Sequence, residues 1–397
     1  MAGRMLLERG RIFDTDTACF MPAEMLIEDG MIAAIGAPGT LSRDGALILD
    51  ADGALVAPGL VDIHTHGRAG GDFNSADVPL LRKMARSYLD AGVTTVMPTL
   101  ASAPLDSFGE AADRIATVAE AAPVGARLIG LHLEGRYLNP KKRGAHAAEL
   151  VAPLDGDELT ALVARMRRGF GGQCPFRIAA ALELDADGSF TRAALAAGLK
   201  ISLGHTEATY AQALAAVRAG ANCFTHLYNA MSPLHHRAGG APLACFDSGA
   251  FGEVICDGFH IAPEMVGLAY RMLGEERLVL ISDSMEGTGC PDGDYTIAGL
   301  PVTVRDGKAY TIEGNIAGST LDLLQGVCNL AKFCDIPFSR ALLCATVNPA
   351  RAAGIDHMVG SLRVGLHADF LLLDERQGEI VLRDAYVGGV CMTGVAE

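Results

Sequence analysis

The stretch "APGLVDIHTHG", Ala57 to Gly67, is an apolar run closed by two histidines one residue apart, with a glycine directly behind them. Side chains of a strand alternate between its faces, so a strand through this run turns His64 and His66 to the same side at its far end. Two imidazoles so placed can grip one metal ion. Seven further apolar or β-branched runs follow: Thr94–Ala101, Arg127–Gly135, Arg177–Leu184, Lys200–Thr206, Asn222–Met231, Gly252–Ile261 and Arg277–Ser284. Between them lie Ala- and Leu-rich stretches of helical composition, such as Val78–Ala91, Leu105–Ala122, Leu154–Arg168 and Tyr210–Ala219. Strand then helix, eight times over, predicts an α/β fold, a (β/α)8 barrel spanning 58–358.

The two ends read differently. Residues 1–57 and 359–397 alternate short strands with turns and show no helical period, so they are expected to pair into one small β-domain beside the barrel, with boundaries near Pro58 and Val359. No apolar run reaches the length of a membrane span, and the charges in "MAGRMLLERGRIFDTDT" are too closely spaced for a signal peptide. The ten cysteines form no CxxC pair, which favours reduced thiols and a cytoplasmic location. A formal charge of −15 argues against nucleic acid or an anionic membrane as partner. An anionic ligand therefore needs its own local cluster of positive groups.

The polar residues fall where strands end. His64 and His66 close the first run, Glu134 the third, His205 the fifth and Asp283 the eighth, while His226 lies within the sixth. Barrel active sites are built at the C-terminal ends of the strands. Any one of these histidines alone is more often a satisfied core or surface residue than a ligand. Six such residues at one barrel mouth are hard to explain as packing, and they suffice for one divalent metal or two. Imidazole with carboxylate suits zinc, iron, cobalt or nickel better than magnesium or calcium, with zinc expected first. His132 is read as packing or as a support behind the ligands beside Glu134, and His357 and His367 as structural. The Gly-rich turns lack the spacing of a phosphate loop.

"PGLVDIHTHG" together with "LHLEG", "KKRGAHA", "SLGHTEATY", "THLYNAMSPLHHR", "DGFHI", "ISDS" and "IAGSTLDL" resembles the N-acetylglucosamine-6-phosphate deacetylase family of the amidohydrolase superfamily. The resemblance runs over nearly the whole chain. It implies Glu134, His205 and His226 as the principal metal site, His64 and His66 as a second site present in only some members, and Asp283 as the catalytic acid and base. It places Ala145 and His146 at the sugar and acetamide, with His146 also aiding catalysis. Asn229 and Ala230 match a phosphate-binding turn. His260, Ile316, Ala317 and Gly318 match further substrate contacts. Arg237 matches a phosphate-binding arginine that comes from the neighbouring subunit, which implies a homodimer.

The chain departs from the pattern at Arg136, after "HLEG", at "AGG" after Arg237, and at Glu286, beside the catalytic aspartate. Arg136 and Glu286 are expected to alter the sugar pocket. The resulting expectation is removal of the acetyl group from N-acetyl-D-glucosamine 6-phosphate. The alternatives are the galacto-configured substrate, another amidohydrolase acting on N-acyl amino acids or cyclic amides, or a non-catalytic scaffold.

Overall fold

A computed structural model describes residues 3–392 except residues 122 and 173. All eight expected strands are present: β1 (Leu60–Thr65), β2 (Val93–Leu100), β3 (Leu131–Glu134), β4 (Phe176–Ala180), β5 (Lys200–Leu203), β6 (Ala221–Phe224), β7 (Phe251–Ile255) and β8 (Leu278–Ile281). They pair in chain order and in parallel from β1 to β8. No ladder joins β8 to β1. Single bonds close that seam: Asp283 N–H donates to His64 O at 2.9 Å, and His66 N–H to Ser284 O at 2.8 Å. The Ser282 hydroxyl donates to Asp62 Oδ2 at 2.5 Å.

Several strands are shorter than their apolar runs. The run through Arg127–Gly135 breaks at Gly130, whose φ of +69° turns the chain, and only Arg127–Leu128 pairs before it. The run through Asn222–Met231 stops at Phe224, because His226, Tyr228 and Ala230 all adopt positive φ and form a turn.

A helix follows each strand, and local chemistry sets the ends. Val78–Asp90 starts where the Asp77 carboxylate caps Leu80 N–H, and it buries Leu81, Met84, Ala85, Tyr88 and Leu89 at helical spacing. The third helix runs Gly156–Arg167 and not from Leu154, because Asp155 caps the amides of Asp157 and Glu158. Tyr210–Ala219 opens with a capping box of Thr209 and Gln212. The second helix is Leu105–Ala119, and its expected end at Ala122 lies outside the described residues.

Strands from both ends of the chain share one mixed sheet. Phe370–Arg376 pairs antiparallel with Leu55–Pro58, and Leu55–Pro58 lies parallel to Met5–Asp14. Residues 393–397 of the expected closing segment lie outside the described residues. One unit was not anticipated. After β8 the chain inserts a three-stranded antiparallel sheet, Gly293–Ile297, Leu300–Arg305 and Lys308–Thr311. It is fastened to the barrel by Glu286, which accepts from Thr296 N–H at 2.5 Å, and by Asp72, which accepts from Ala298 N–H at 2.8 Å.

Gly67, directly behind the two histidines, pairs with Asp72 in a short hairpin. A Cβ there would sit 2.1 Å from the Gly71 carbonyl oxygen, a backbone atom that cannot swing aside. Gly67→Ala is expected to destabilise the fold by about 2–3 kcal/mol, the range of a forced steric insertion. Chemical denaturation of both proteins checks this through a lowered midpoint.

Candidate metal centre

The barrel mouth brings the expected ligands together around one carboxylate. Glu134, the last residue of β3, meets His64 Nε2 at 3.1 Å and His66 Nε2 at 2.9 Å through Oε2. Through Oε1 it meets His205 Nε2 at 3.2 Å and His226 Nε2 at 3.0 Å. Two overlapping groups result, His64–His66–Glu134 and Glu134–His205–His226, each with ligand atoms within 4.8 Å of one another. Asp283 Oδ1 lies 3.4 Å from His66 Nε2 and 3.6 Å from His64 Nε2. All six residues are buried.

Three of the six leave their strands by an unusual route. His205, His226 and Asp283 have φ of +46°, +29° and +49°, a region that side chains other than glycine seldom enter. Each lies just past a strand end, and the left-handed step re-aims its side chain. Such strain is retained where surrounding structure over-determines it, most often at functional sites.

The donor set fits a cation. His205 Nδ1 lies 2.7 Å from the Lys142 carbonyl, which only accepts, so Nδ1 carries a proton. In the neutral ring Nε2 is then a lone pair, yet it faces Glu134 Oε1 and, at 3.1 Å, His226 Nε2. A divalent ion among these atoms satisfies lone pairs that otherwise oppose one another. An acceptor on the far ring nitrogen is also how protein metal sites orient their histidines.

The charges follow the same grouping. Burial disfavours an ionised Glu134, but His64 and the other rings outweigh it and hold the carboxyl well below its usual range. Burial likewise opposes charge on Asp283, and His64 and His66 again lower it. Burial disfavours a charged His66, yet Asp283 and Glu134 push it up to about 9. His146 goes the other way: burial, reinforced by His205, drives it down to about 3, so the ring is neutral at neutral pH. Its Nδ1 accepts from Ser102 N–H at 3.3 Å, which leaves the ring proton on Nε2, 4.0 Å from Glu134 Oε2.

These groups open into a cavity of about 440 Å³. Of the residues expected at substrate, Ala145, His146, Asn229, Ala230, His260, Ile316 and Gly318 line it. His260 is held by Asp257, whose Oδ2 lies 2.7 Å from its Nδ1. Ala317 does not line the cavity and packs into the core of the inserted sheet. Arg237 is also outside, on the exposed stretch 233–238. Arg136 is absent from the lining: it makes a bidentate pair with Glu158, at 2.7 and 2.8 Å. Glu286 is committed to Thr296 and lies outside as well.

Several lining residues were not anticipated: Lys141, Lys142 and Arg143 on one wall, Ile297, Glu313 and Asn315 of the insertion on another. The basic triplet stood inside "KKRGAHA" and could have been named from its charge. The insertion residues carried no signal of their own.

A sequence profile of the amidohydrolase family matches residues 55–391. The N-acetylglucosamine-6-phosphate deacetylase of Vibrio furnissii is 35% identical over 87% of this chain and 84% of its own. The N-acetylgalactosamine-6-phosphate deacetylase of Escherichia coli O157:H7 is also 35% identical, over 94% of each chain. A solved structure, a mutant N-acetyl-D-glucosamine-6-phosphate deacetylase from Mycobacterium smegmatis in complex with N-acetyl-D-glucosamine-6-phosphate, aligns with a TM-score of 0.87 at 30% identity, covering 98% of this chain and 99% of that one.

The two ligand groups share Glu134, and the family resemblance makes Glu134–His205–His226 the principal one. His226→Ala is therefore expected to lose the tighter ion. His64→Ala is expected to bind less metal than wild type but to keep that ion. Elemental analysis after dialysis measures both, and an unchanged stoichiometry in His64→Ala removes the second site.

Proposed function

The chain belongs to the amidohydrolase family, among its N-acetylglucosamine-6-phosphate deacetylases, and we propose that it hydrolyses the acetamide of N-acetyl-D-glucosamine 6-phosphate to the free amine and acetate. The observation that carries this is the convergence of Glu134, His205 and His226 on the cavity that also holds Asp283 and His146. Glu134, His205 and His226 would hold one divalent ion, zinc first, with iron, cobalt or nickel as alternatives. His64 and His66, sharing Glu134, would hold a second. A bound ion supplies Lewis-acid polarisation of the acetyl oxygen and a water acidic enough to react at neutral pH.

The chain's own residues supply the rest. Asp283, ionised beside His64 and His66, takes the proton of the attacking water and later returns it to the departing amine, so one carboxylate serves as base and then as acid. His146 presents Nε2–H to the acetyl oxygen as that oxygen gains charge, a role often worth about 3–4 kcal/mol per donor. The substrate phosphate carries close to two negative charges, while the protein carries −15, so binding depends on local donors. Lys141, Lys142 and Arg143 on the cavity wall, with the turn at Asn229 and Ala230, are the donors of the same chain. Arg237 would complete the set from a second subunit. Its exposed position outside its own cavity supports this reading, and its planar fork suits a phosphate.

The equal identity to relatives named for the gluco and galacto sugars makes a direct comparison the decisive assay. Acetate release should be faster from N-acetyl-D-glucosamine 6-phosphate than from its galacto epimer, and poor from the unphosphorylated sugar. No release from either phosphate by metal-loaded protein would end this reading. In the same assay Asp283→Asn should lower turnover at least ~10²-fold with substrate binding largely kept.

Arg237→Ala should raise KM sharply for the phosphorylated sugar and hardly change the weak activity on the unphosphorylated one. Mixing Arg237→Ala with Asp283→Asn subunits should restore part of the activity, because one mixed site then contains both residues. Exchanging dimers that fail to complement would confine Arg237 to its own subunit.

A further inference from the structure

The barrel interior contains charges that the reaction above does not use. Arg177 on β4 and Glu253 on β7 are both fully buried, with Arg177 Nη2 2.5 Å from Glu253 Oε1. Arg177 Nη1 also donates to the Ile63 carbonyl at 3.0 Å. The other oxygen of the carboxylate, Glu253 Oε2, lies 3.1 Å from His64 Nδ1. Three strands, β1, β4 and β7, are thus joined across the barrel beneath the cavity floor.

Barrel interiors are ordinarily filled by branched apolar side chains. A buried ion pair adds little stability over such a filling, and its replacement by apolar residues is often neutral or stabilising. Its placement against His64 offers a reason for it. His64 has a carboxylate at each ring nitrogen, Glu253 at Nδ1 and Glu134 at Nε2. The charge of Glu253 is already matched by Arg177, whereas the neighbours of Glu134 are imidazoles. A cation entering the cavity therefore takes Nε2, and the ring proton stays on Nδ1 with Glu253. His132 packs edge-on to the same ring, with centroids 4.8 Å apart and planes at 81°. His66 has no comparable support, since its buried Nδ1 has no hydrogen-bond partner.

We infer that Glu253, braced by Arg177, is a positioning residue that fixes the tautomer and aim of His64 and thereby decides whether the His64–His66–Glu134 site loads with metal. Glu253 also meets the other ligand group, but only through the His226 backbone N–H, at 3.4 Å. Its loss should thus be felt mainly at one site. This inference rests on reading the cluster as a metal centre.

The test titrates metal-free protein with zinc against a competing chromophoric chelator and follows the melting temperature of the metal-free form alongside. Arg177→Met/Glu253→Met removes both charges together and leaves neither unpaired. It should keep its fold, weaken the weaker class of zinc site by about 10–100-fold, the usual effect of losing a carboxylate behind a metal-bound histidine, and leave the tighter class within about threefold. Arg177→Met/Glu253→Gln restores a carbonyl acceptor for His64 Nδ1–H and should recover most of the lost affinity. Equal weakening of both classes, unchanged affinity in the double-Met protein, no recovery with Gln, or failure of both double variants to fold would each overturn the inference and leave the pair a structural element. Wild-type protein that takes up no zinc would instead overturn the metal-centre reading itself.

Discussion

One buried carboxylate receives four imidazole nitrogens. Glu134 sits at the end of β3 with His64 and His66 on one oxygen and His205 and His226 on the other. An uncompensated charge in such a place is prohibitively unfavourable, so the surrounding structure answers to it. The Lys142 carbonyl and the Glu253 carboxylate face the outer nitrogens of His205 and His64. The backbone accepts left-handed steps at His205, His226 and Asp283 to bring side chains from three strand ends to one point. Strain of this kind costs about 1–3 kcal/mol per residue. A barrel whose seventy-odd-residue core cluster is continuous from its helices to its strands can absorb it.

The same constraint explains why the barrel interior is polar. Asp62, Thr99, His132, Arg177, Ser202, Thr225, Glu253 and Ser282 are all buried. Asp62 stitches the seam between β1 and β8, where no ladder forms, and burial pushes its carboxyl up to about 6 despite the bond from Ser282. Ser202 and Thr225 hydroxyls bond each other at 2.5 Å across β5 and β6. Each of these residues has at least one partner close by, the condition for placing polar side chains in a core, although His132 Nε2 and Arg177 Nε have none. The interior thus behaves as a rigid hydrogen-bonded floor beneath the ligands.

Legibility from sequence followed the physics of each signal. The eight strands and their order were readable because apolar runs alternating with Ala-rich stretches are a strong, repeated pattern. The cluster of histidines and carboxylates was readable because barrel chemistry collects at strand ends, and the left-handed residues were hidden because a side chain's identity carries little information about its own φ. Arg177 and Glu253 were invisible for a different reason. In "PFRIAAALEL" and "GEVICDGFHI" a charge inside an apolar run looks like a residue at the solvent edge of a strand, and only the closed barrel reveals that it points at a partner three strands away. The inserted sheet escaped because its turns, "DG", "AG" and "RDG", read as ordinary loop, and its strands are short and half-exposed.

That insertion supplies part of the cavity wall. Arg136 and Glu286 depart from the family pattern close to ligand residues, which suggests a reshaped sugar pocket. In the folded chain both carry out fastening. Arg136, in a left-handed turn, clamps the third helix through Glu158, which also accepts from the Tyr137 hydroxyl at 2.9 Å. Glu286 holds the first strand of the insertion through Thr296. The effect of Glu286 on the cavity is therefore indirect, through the insertion whose Ile297, Glu313 and Asn315 line its wall, while Arg136 braces the third helix. Glu313 faces the cavity that also presents Lys141, Lys142 and Arg143, so the two walls differ in charge. A dianionic phosphate is favoured against the basic wall and repelled from the acidic one. In the proposed mode, a phosphate held at the basic wall would leave the acetamide, at the other end of the sugar, toward Glu134 and Asp283.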